Sequence, residues 1–133
     1  MIVLDASALL KFVAREPGWI DVEMLIARGC ATLYLAVSEV ALALELGVRQ
    51  GALDPGYARR SLEALEELLR SRAIELLEDY RFAVRALEIS RSRRLGVLDS
   101  MYVAAAEELG ELATCVKRQA LVAKELGIKV VLL

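Results

Sequence analysis

Three acidic residues stand at positions where a reaction could use them. Asp5 follows a short apolar run, Asp99 opens a late helical segment, and Glu39 lies in an otherwise apolar helical segment. Leu42 and Leu46 follow Glu39 by three and seven residues, so Glu39 projects from an apolar face where an uncompensated charge is costly. If the three carboxylates meet, each pair would repel by about 3 kcal/mol at an effective dielectric near 20, so their convergence would favour a bound cation.

The residue types that are missing narrow the chemistry. The chain contains no histidine, which excludes Ser/His and Cys/His nucleophile pairs, histidine zinc sites and histidine general bases. Catalysis would therefore rest on carboxylates, and a site with oxygen ligands alone suits Mg²⁺ or Mn²⁺ better than zinc or copper. Cys30 and Cys115 fit no metal-binding spacing, so we expect both to be reduced thiols in the core.

Each acidic candidate also has an ordinary structural role. Asp5 and Asp99 could serve as helix N-caps, a frequent use of Asp that is worth about 1 kcal/mol. Glu39 could form an ion pair with a buried arginine. Sequence position alone leaves both alternatives open for each residue.

The composition indicates a folded protein. The chain has 133 residues, of which 57% are hydrophobic and 27% charged, so we expect one hydrophobic core. No apolar run approaches the ~18 residues that a membrane span needs, so we expect a soluble, cytoplasmic protein. The net charge of −2 argues against binding nucleic acid through bulk positive charge. The absence of asparagine, with abundant Glu and Arg, favours a thermophilic source.

Strand and helix patterns alternate along the chain. Apolar runs predict strands at residues 1–4, 32–35, 74–77, 112–115 and 128–132, with helices at residues 6–15, 19–28, 37–48, 57–72, 80–91, 99–109 and 119–126. Residues 37–48 are apolar almost all round and predict a buried helix, whereas residues 57–72 are amphipathic. The alternation indicates an α/β fold with a parallel sheet that is covered on both faces. Ligands of such sheets bind at the carboxyl ends of the strands.

Four segments together resemble the PIN domain family, specifically its single-domain VapC-type toxins. They read VLDASALL, LAVSEVALALELGVRQG, GVLDSMYVAAAEELG and LATCVKRQALVAKELGIKVVLL, and the resemblance spans residues 1–133 as one PIN-like domain. It implies a three-layer α/β/α fold with a central parallel sheet of about five strands. It also implies a Mg²⁺- or Mn²⁺-dependent ribonuclease whose catalytic and metal-binding residues are Asp5, Glu39 and Asp99, with Ser7 and Thr114 as polar neighbours.

The same resemblance implies partners. It predicts a homodimer and a small antitoxin protein whose inserted peptide would present an Arg or Lys to the carboxylates. For RNA, Lys117 and Arg118 are the preferred phosphate contacts because they follow the fourth strand. The basic run at residues 91–94 could instead be a solvated helix end that the helix dipole favours.

One position departs from the family pattern. Many PIN domains continue the fourth strand as T-x-D, but here Thr114 and Cys115 are followed by Val116, so one expected carboxylate is missing. The alternative to a nuclease is therefore a weak or inactive PIN domain that binds RNA or protein. Phosphoacceptor folds of the receiver or dehalogenase kind are disfavoured, because Asp5 is followed by Ala6 and Ser7 rather than by the acidic pattern that those folds need.

Overall fold

The computed structural model describes all 133 residues and contains five strands and seven α-helices. The strands are β1 (Ile2–Leu4), β2 (Cys30–Leu33), β3 (Ile74–Leu77), β4 (Glu111–Thr114) and β5 (Lys129–Leu132). The helices are α1 (Ala6–Val13), α2 (Trp19–Ala27), α3 (Tyr34–Arg49), α4 (Pro55–Arg70), α5 (Ala83–Arg93), α6 (Val97–Leu109) and α7 (Lys117–Glu125), and a short 3-10 helix (Asp79–Phe82) precedes α5.

The five strands form one parallel sheet in the order β3-β2-β1-β4-β5. The chain builds the sheet outward from β1 to β3 and then returns to place β4 on the other side of β1. A ligand crevice in such a sheet lies beyond the carboxyl ends of the two strands at this reversal. Leu4 pairs with Ala113 in register, and the backbone N–H of Asp5 donates to the Ala113 carbonyl at 3.2 Å. Asp5 and the end of β4 therefore meet at this crevice.

Helices cover both faces of the sheet, which confirms the predicted three-layer α/β/α fold. Helices α1 to α4 pack on one another in one layer, and α5, α6 and α7 pack on one another in the second. Every residue of β1, β2 and β4 is buried, because these strands have a helical layer on each face. The two edge strands, β3 and β5, are only partly buried.

The prediction that residues 37–48 form a helix buried all round is wrong. In α3 only Ala36, Val40 and Leu44 are buried, and their four-residue spacing defines one narrow stripe that packs on the core. Leu42 is 61% exposed. Composition alone overestimates burial here because α3 belongs to a layer with its outer side towards solvent.

Several predicted boundaries shift by two or three residues. Strand β2 begins at Cys30, because Cys30 already pairs with Ile2 and Ile74 in the parallel ladder. Helix α3 then begins directly at Tyr34. Helix α4 begins at Pro55, two residues earlier than predicted, because Asp54 is its N-cap and accepts a hydrogen bond from the backbone N–H of Tyr57 at 3.2 Å.

The two cysteines differ in their surroundings. Both are free thiols, and Cys30 is buried as predicted, whereas Cys115 is only partly buried. Burial raises the pKa of the Cys30 thiol to about 12, so this thiol stays protonated.

No helix combines the length and the apolar character that crossing a bilayer requires.

Candidate active site

Asp5 is a buried carboxylate at the first turn of α1. It is 3% exposed and forms the N-cap of the helix, with Oδ1 accepting from the backbone N–H of Ala8 at 2.9 Å. The Ser7 hydroxyl donates to the same oxygen at 2.7 Å, and the Thr114 hydroxyl donates to Oδ2 at 2.6 Å. Asp5 is therefore a helix cap and, at the same time, a charged group held at the sheet reversal.

Ser7 and Thr114 extend this network to the end of β4. The Ser7 oxygen accepts from the backbone N–H of Cys115 at 2.9 Å. The Thr114 oxygen accepts from the backbone N–H of Val116, also at 2.9 Å. Each hydroxyl thus donates to Asp5 and accepts from the backbone, so the corner that joins β4 to α7 is tied to the start of α1.

Glu39 lies half-buried on α3, one turn beyond the start of the helix. The buried Tyr102 of α6 donates its hydroxyl to Glu39 Oε1 at 2.6 Å. The partner of Glu39 is therefore a phenol and not an arginine. Because α3 and α6 belong to opposite helical layers, this bond spans the carboxyl edge of the sheet.

Asp99 is the third residue of α6, so the alternative that it serves as an N-cap is excluded. Gly96 occupies the cap position and has no side chain to offer. The half-buried Asp99 carboxylate forms no hydrogen bond or ion pair within the chain, while its backbone carbonyl accepts from the Gln119 amide Nε2 at 3.0 Å. Both carboxylate oxygens are consequently free for a ligand.

The three carboxylates act on one another electrostatically. Burial is the largest cause that raises the pKa of each one, and the Asp99 charge raises the pKa of Asp5 and Glu39 further. The Asp5 charge adds to the rise at Glu39. None of the salt bridges in the structure involves any of the three. The carboxyl edge therefore carries negative charge that no lysine or arginine compensates.

Comparison with known proteins identifies the family. The family model for the PIN domain matches residues 2–131. This chain belongs to the PIN domain family. The crystal structure of PAE2754 from Pyrobaculum aerophilum is similar to it with 26% identity and a TM-score of 0.73, covering 97% of this chain and 87% of that chain.

A second solved structure shares the fold. It is FitAcB from Neisseria gonorrhoeae, with 15% identity and a TM-score of 0.60, covering 98% of this chain and 96% of that chain. Among curated proteins, none matches. The family and the fold of this PIN domain are therefore shown, and its substrate must be argued from its own site.

A further carboxylate, Asp79, lies beside the site of this PIN domain and was missed by the sequence analysis. It follows β3 by two residues, and its Oδ2 accepts from the backbone N–H of Leu35, the second residue of α3, at 2.9 Å. Asp79 thus caps the helix that carries Glu39, and its charge raises the pKa of Glu39. Its other oxygen, Oδ1, is buried without a hydrogen-bond partner. An acid just beyond a strand end was the signal that could have identified it, as it identified Asp5.

Val116 stands at the N-cap of α7, where the family pattern often has Asp. It offers no side-chain hydrogen bond to the helix. The Val116 position follows Thr114 by two residues, so a carboxylate here would join the group around Asp5. The PIN domain therefore has carboxylates at the β1–α1 junction, on α3 and on α6, and lacks one at the β4–α7 corner.

The two predicted RNA contacts, Lys117 and Arg118, are both exposed in the first turn of α7. The Arg118 guanidinium donates to the Arg93 carbonyl at 2.5 Å, so it holds the end of α5 against α7. Lys117 takes part in no ion pair. Lys117 is thus the freer of the two cations at this edge.

Thr114→Val should destabilise the PIN domain, because it leaves the buried Asp5 Oδ2 without a donor. We expect the free energy of unfolding to fall by about 1–3 kcal/mol. The pKa of Asp5 should rise, because the lost bond favours the charged form. Urea denaturation and NMR titration of the carboxyl carbon measure the two effects. Thr114→Ser keeps the hydroxyl and should change both much less; equal effects in the two variants would contradict this role of the hydroxyl.

Proposed function

We propose that this PIN domain, acting as one domain over residues 1–133, is a divalent-metal-dependent endoribonuclease and the toxin of a toxin-antitoxin pair. One observation carries the proposal. Asp5 after β1, Glu39 on α3 and Asp99 on α6 lie at one edge of the sheet, and none of them has a cationic partner within the chain. Burial raises the pKa of each carboxyl group, and the charge of Asp99 raises the pKa of Asp5 and Glu39 further. PIN domains are generally nucleases, which supports hydrolysis as the reaction.

The ligand atoms at this edge are all oxygens, a type that Mg²⁺ and Mn²⁺ prefer. The site offers carboxylate and hydroxyl oxygens, and a cation would stabilise the charged forms of carboxyl groups whose pKa is raised by burial and, at Asp5 and Glu39, also by neighbouring acids. No three acidic or cysteine side chains are arranged as a ready set of direct ligands for one ion. Mg²⁺ usually keeps several waters, so Asp5, Glu39 and Asp99 would hold a hydrated ion, partly through water. When bound, such an ion supplies charge stabilisation at the phosphate and lowers the pKa of water.

The residues around the three carboxylates have separate roles. Ser7 and Thr114 keep Asp5 oriented by donating to its two oxygens. Tyr102 engages Glu39 Oε1, which leaves Oε2 of Glu39 for a ligand or for a proton. Asp99 has both carboxylate oxygens free. This arrangement supports binding at Asp99 and Glu39 with Asp5 as the preorganised charge behind them.

Asp5→Asn tests the nuclease proposal directly. The amide can still cap α1 but removes a charge from the site, so metal-dependent RNA cleavage should fall by at least roughly 100-fold. The assay uses a pool of structured and single-stranded RNA with Mn²⁺, Mg²⁺ or EDTA. Asp54→Asn is the matched control, because Asp54 caps α4 in the same way and belongs to no acidic cluster. Cleavage that persists in EDTA or in Asp5→Asn would contradict the proposal.

The RNA strand would approach the acidic edge along the first turn of α7. We propose Lys117 as a phosphate contact, and Arg118 as a second one whose guanidinium also holds Arg93. Both side chains are exposed and neither forms an ion pair, but the Arg118 guanidinium is engaged by the Arg93 carbonyl, so the structure supports Lys117 more strongly. The net charge of −2 makes such local contacts necessary for a polyanionic substrate.

Lys117→Gln should weaken RNA binding about equally for all sequences. The slope of log affinity against log salt concentration should fall in magnitude by about 0.7 for single-stranded RNA. Fluorescence anisotropy in the Asp5→Asn background measures binding without cleavage. Lys124→Gln is the matched control, because Lys124 is also exposed on α7 but lies in its last turn. If both variants have the same salt slope, Lys117 makes no specific phosphate contact.

A second candidate function follows from Val116. A PIN domain without the carboxylate at this corner could bind RNA or protein and cleave nothing. Val116→Asp adds an acid beside Asp5 and an N-cap to α7, so we expect about tenfold faster cleavage and a gain of about 1 kcal/mol in unfolding free energy with metal present. RNA cleavage and urea denaturation measure these changes. A wild type that is inert with every ion, while Val116→Asp cuts RNA, would favour the binding module.

We also propose a cytoplasmic homodimer that pairs with an antitoxin protein. Exposed apolar side chains support a protein partner: Tyr80 and Val84 are each 75% exposed, and Leu87 is 50% exposed. Val84 and Leu87 are three residues apart on α5 and so share one face of it, and Tyr80 lies in the 3-10 helix that precedes α5. An antitoxin Arg or Lys would find the uncompensated carboxylates as its counter-charge.

A further inference from the structure

Gln119, in the first turn of α7, is a buried amide in direct contact with the backbone of Asp99. The residue is 0% exposed, and its Nε2 donates to the Asp99 carbonyl at 3.0 Å. The neighbouring Arg118 donates to the Arg93 carbonyl. One turn of α7 therefore holds both the start of α6 and the end of α5.

The hydrogen bonding of Gln119 is incomplete, which argues against a purely stabilising role. Its Oε1 is buried and has no hydrogen-bond partner. A buried acceptor without a donor destabilises a fold relative to an apolar side chain of the same shape. A leucine or methionine would therefore serve packing at least as well as this glutamine. What the glutamine offers and an apolar residue cannot is the N–H that reaches Asp99.

The first turn of α6 has few other anchors. Its N-cap is Gly96, which provides no side-chain hydrogen bond. The Asp99 carboxylate forms no bond within the chain, and the next residue, Ser100, has a buried hydroxyl without a partner. The bond from Gln119 is thus the side-chain contact that links Asp99 to the β4–α7 corner, where Val116 supplies no carboxylate.

We propose that Gln119 is a positioning residue for Asp99. Its amide fixes the first turn of α6 relative to β4, so that the free Asp99 carboxylate stays directed to the acidic edge. This inference rests on the proposed function of that edge. Partners that orient a metal-binding group in this way typically contribute 10- to 100-fold to metal affinity.

Gln119→Met tests the proposal, because methionine keeps the length of the side chain and removes the donor. We expect Mn²⁺ binding, followed by electron paramagnetic resonance, to weaken by roughly 10-fold or more. The thermal unfolding temperature without metal should be unchanged or higher. Ser100→Ala is the matched control, since it deletes a buried polar atom next to Asp99 that has no bond to lose. Gln119→Leu provides a second apolar variant in case methionine packs poorly.

The Asp99→Asn variant separates the two proposals. Suppose that the wild type binds Mn²⁺ and that Asp99→Asn does not. If Gln119→Met then binds Mn²⁺ as tightly as the wild type, the positioning role is overturned and the nuclease proposal stands. If Asp99→Asn binds Mn²⁺ like the wild type, the nuclease proposal fails. Hydrogen exchange without metal then tests the positioning role. The Ser100 amide, which donates to the Gly96 carbonyl, should exchange several-fold faster in Gln119→Met than in the wild type. An unchanged exchange rate would overturn the positioning role.

Discussion

The burial of the Asp5 carboxylate is the constraint on which the site depends. A carboxyl group that is 3% exposed needs hydrogen-bond partners for its oxygens, and here three donors supply them. Two come from the turn that opens α1, and the third comes from Thr114 at the end of β4. The fold can satisfy this carboxylate only if β4 returns to lie beside β1. The strand order that places β4 beside β1 therefore also fixes the position of the site.

The acidic residues at the two ends of the strands have different hydrogen-bond partners. At the amino end of β4, the buried Glu111 pairs with Arg28 at 3.2 Å. At the carboxyl end, hydroxyls and a phenol contact Asp5 and Glu39, and neither carboxylate forms an ion pair with a lysine or an arginine. Hydroxyl donors orient a carboxylate and leave its charge intact. Negative charge that is oriented and not neutralised is what a cation, or a basic residue from a partner protein, would recognise.

The sequence predicted much of the architecture and only part of the site. Strand β3 was predicted with the right bounds, because it is a short apolar run in which Glu75 is the one charged position. Helix α3 was misjudged because apolar residues on its solvent side look the same in sequence as core residues. The ordinary alternative for Asp99, an N-cap, is excluded because Gly96 occupies the cap position of α6. Tyr102, Asp79 and Gln119 were missed because each acts through a partner that lies 20 or more positions away in the sequence.

By itself, the sequence determined the alternation of strand and helix, the absence of histidine chemistry, and the family to which the segments around Asp5, Glu39 and Asp99 belong. These are properties of local pattern and residue type, which the chain carries in any conformation. Only the tertiary structure decided which groups compensate each buried polar atom. Glu39 accepts a hydrogen bond from the Tyr102 phenol, Asp5 accepts one from the Thr114 hydroxyl, and the Asp99 carboxylate accepts none within the chain. These bonds depend on distances that exist only after the helical layers have packed.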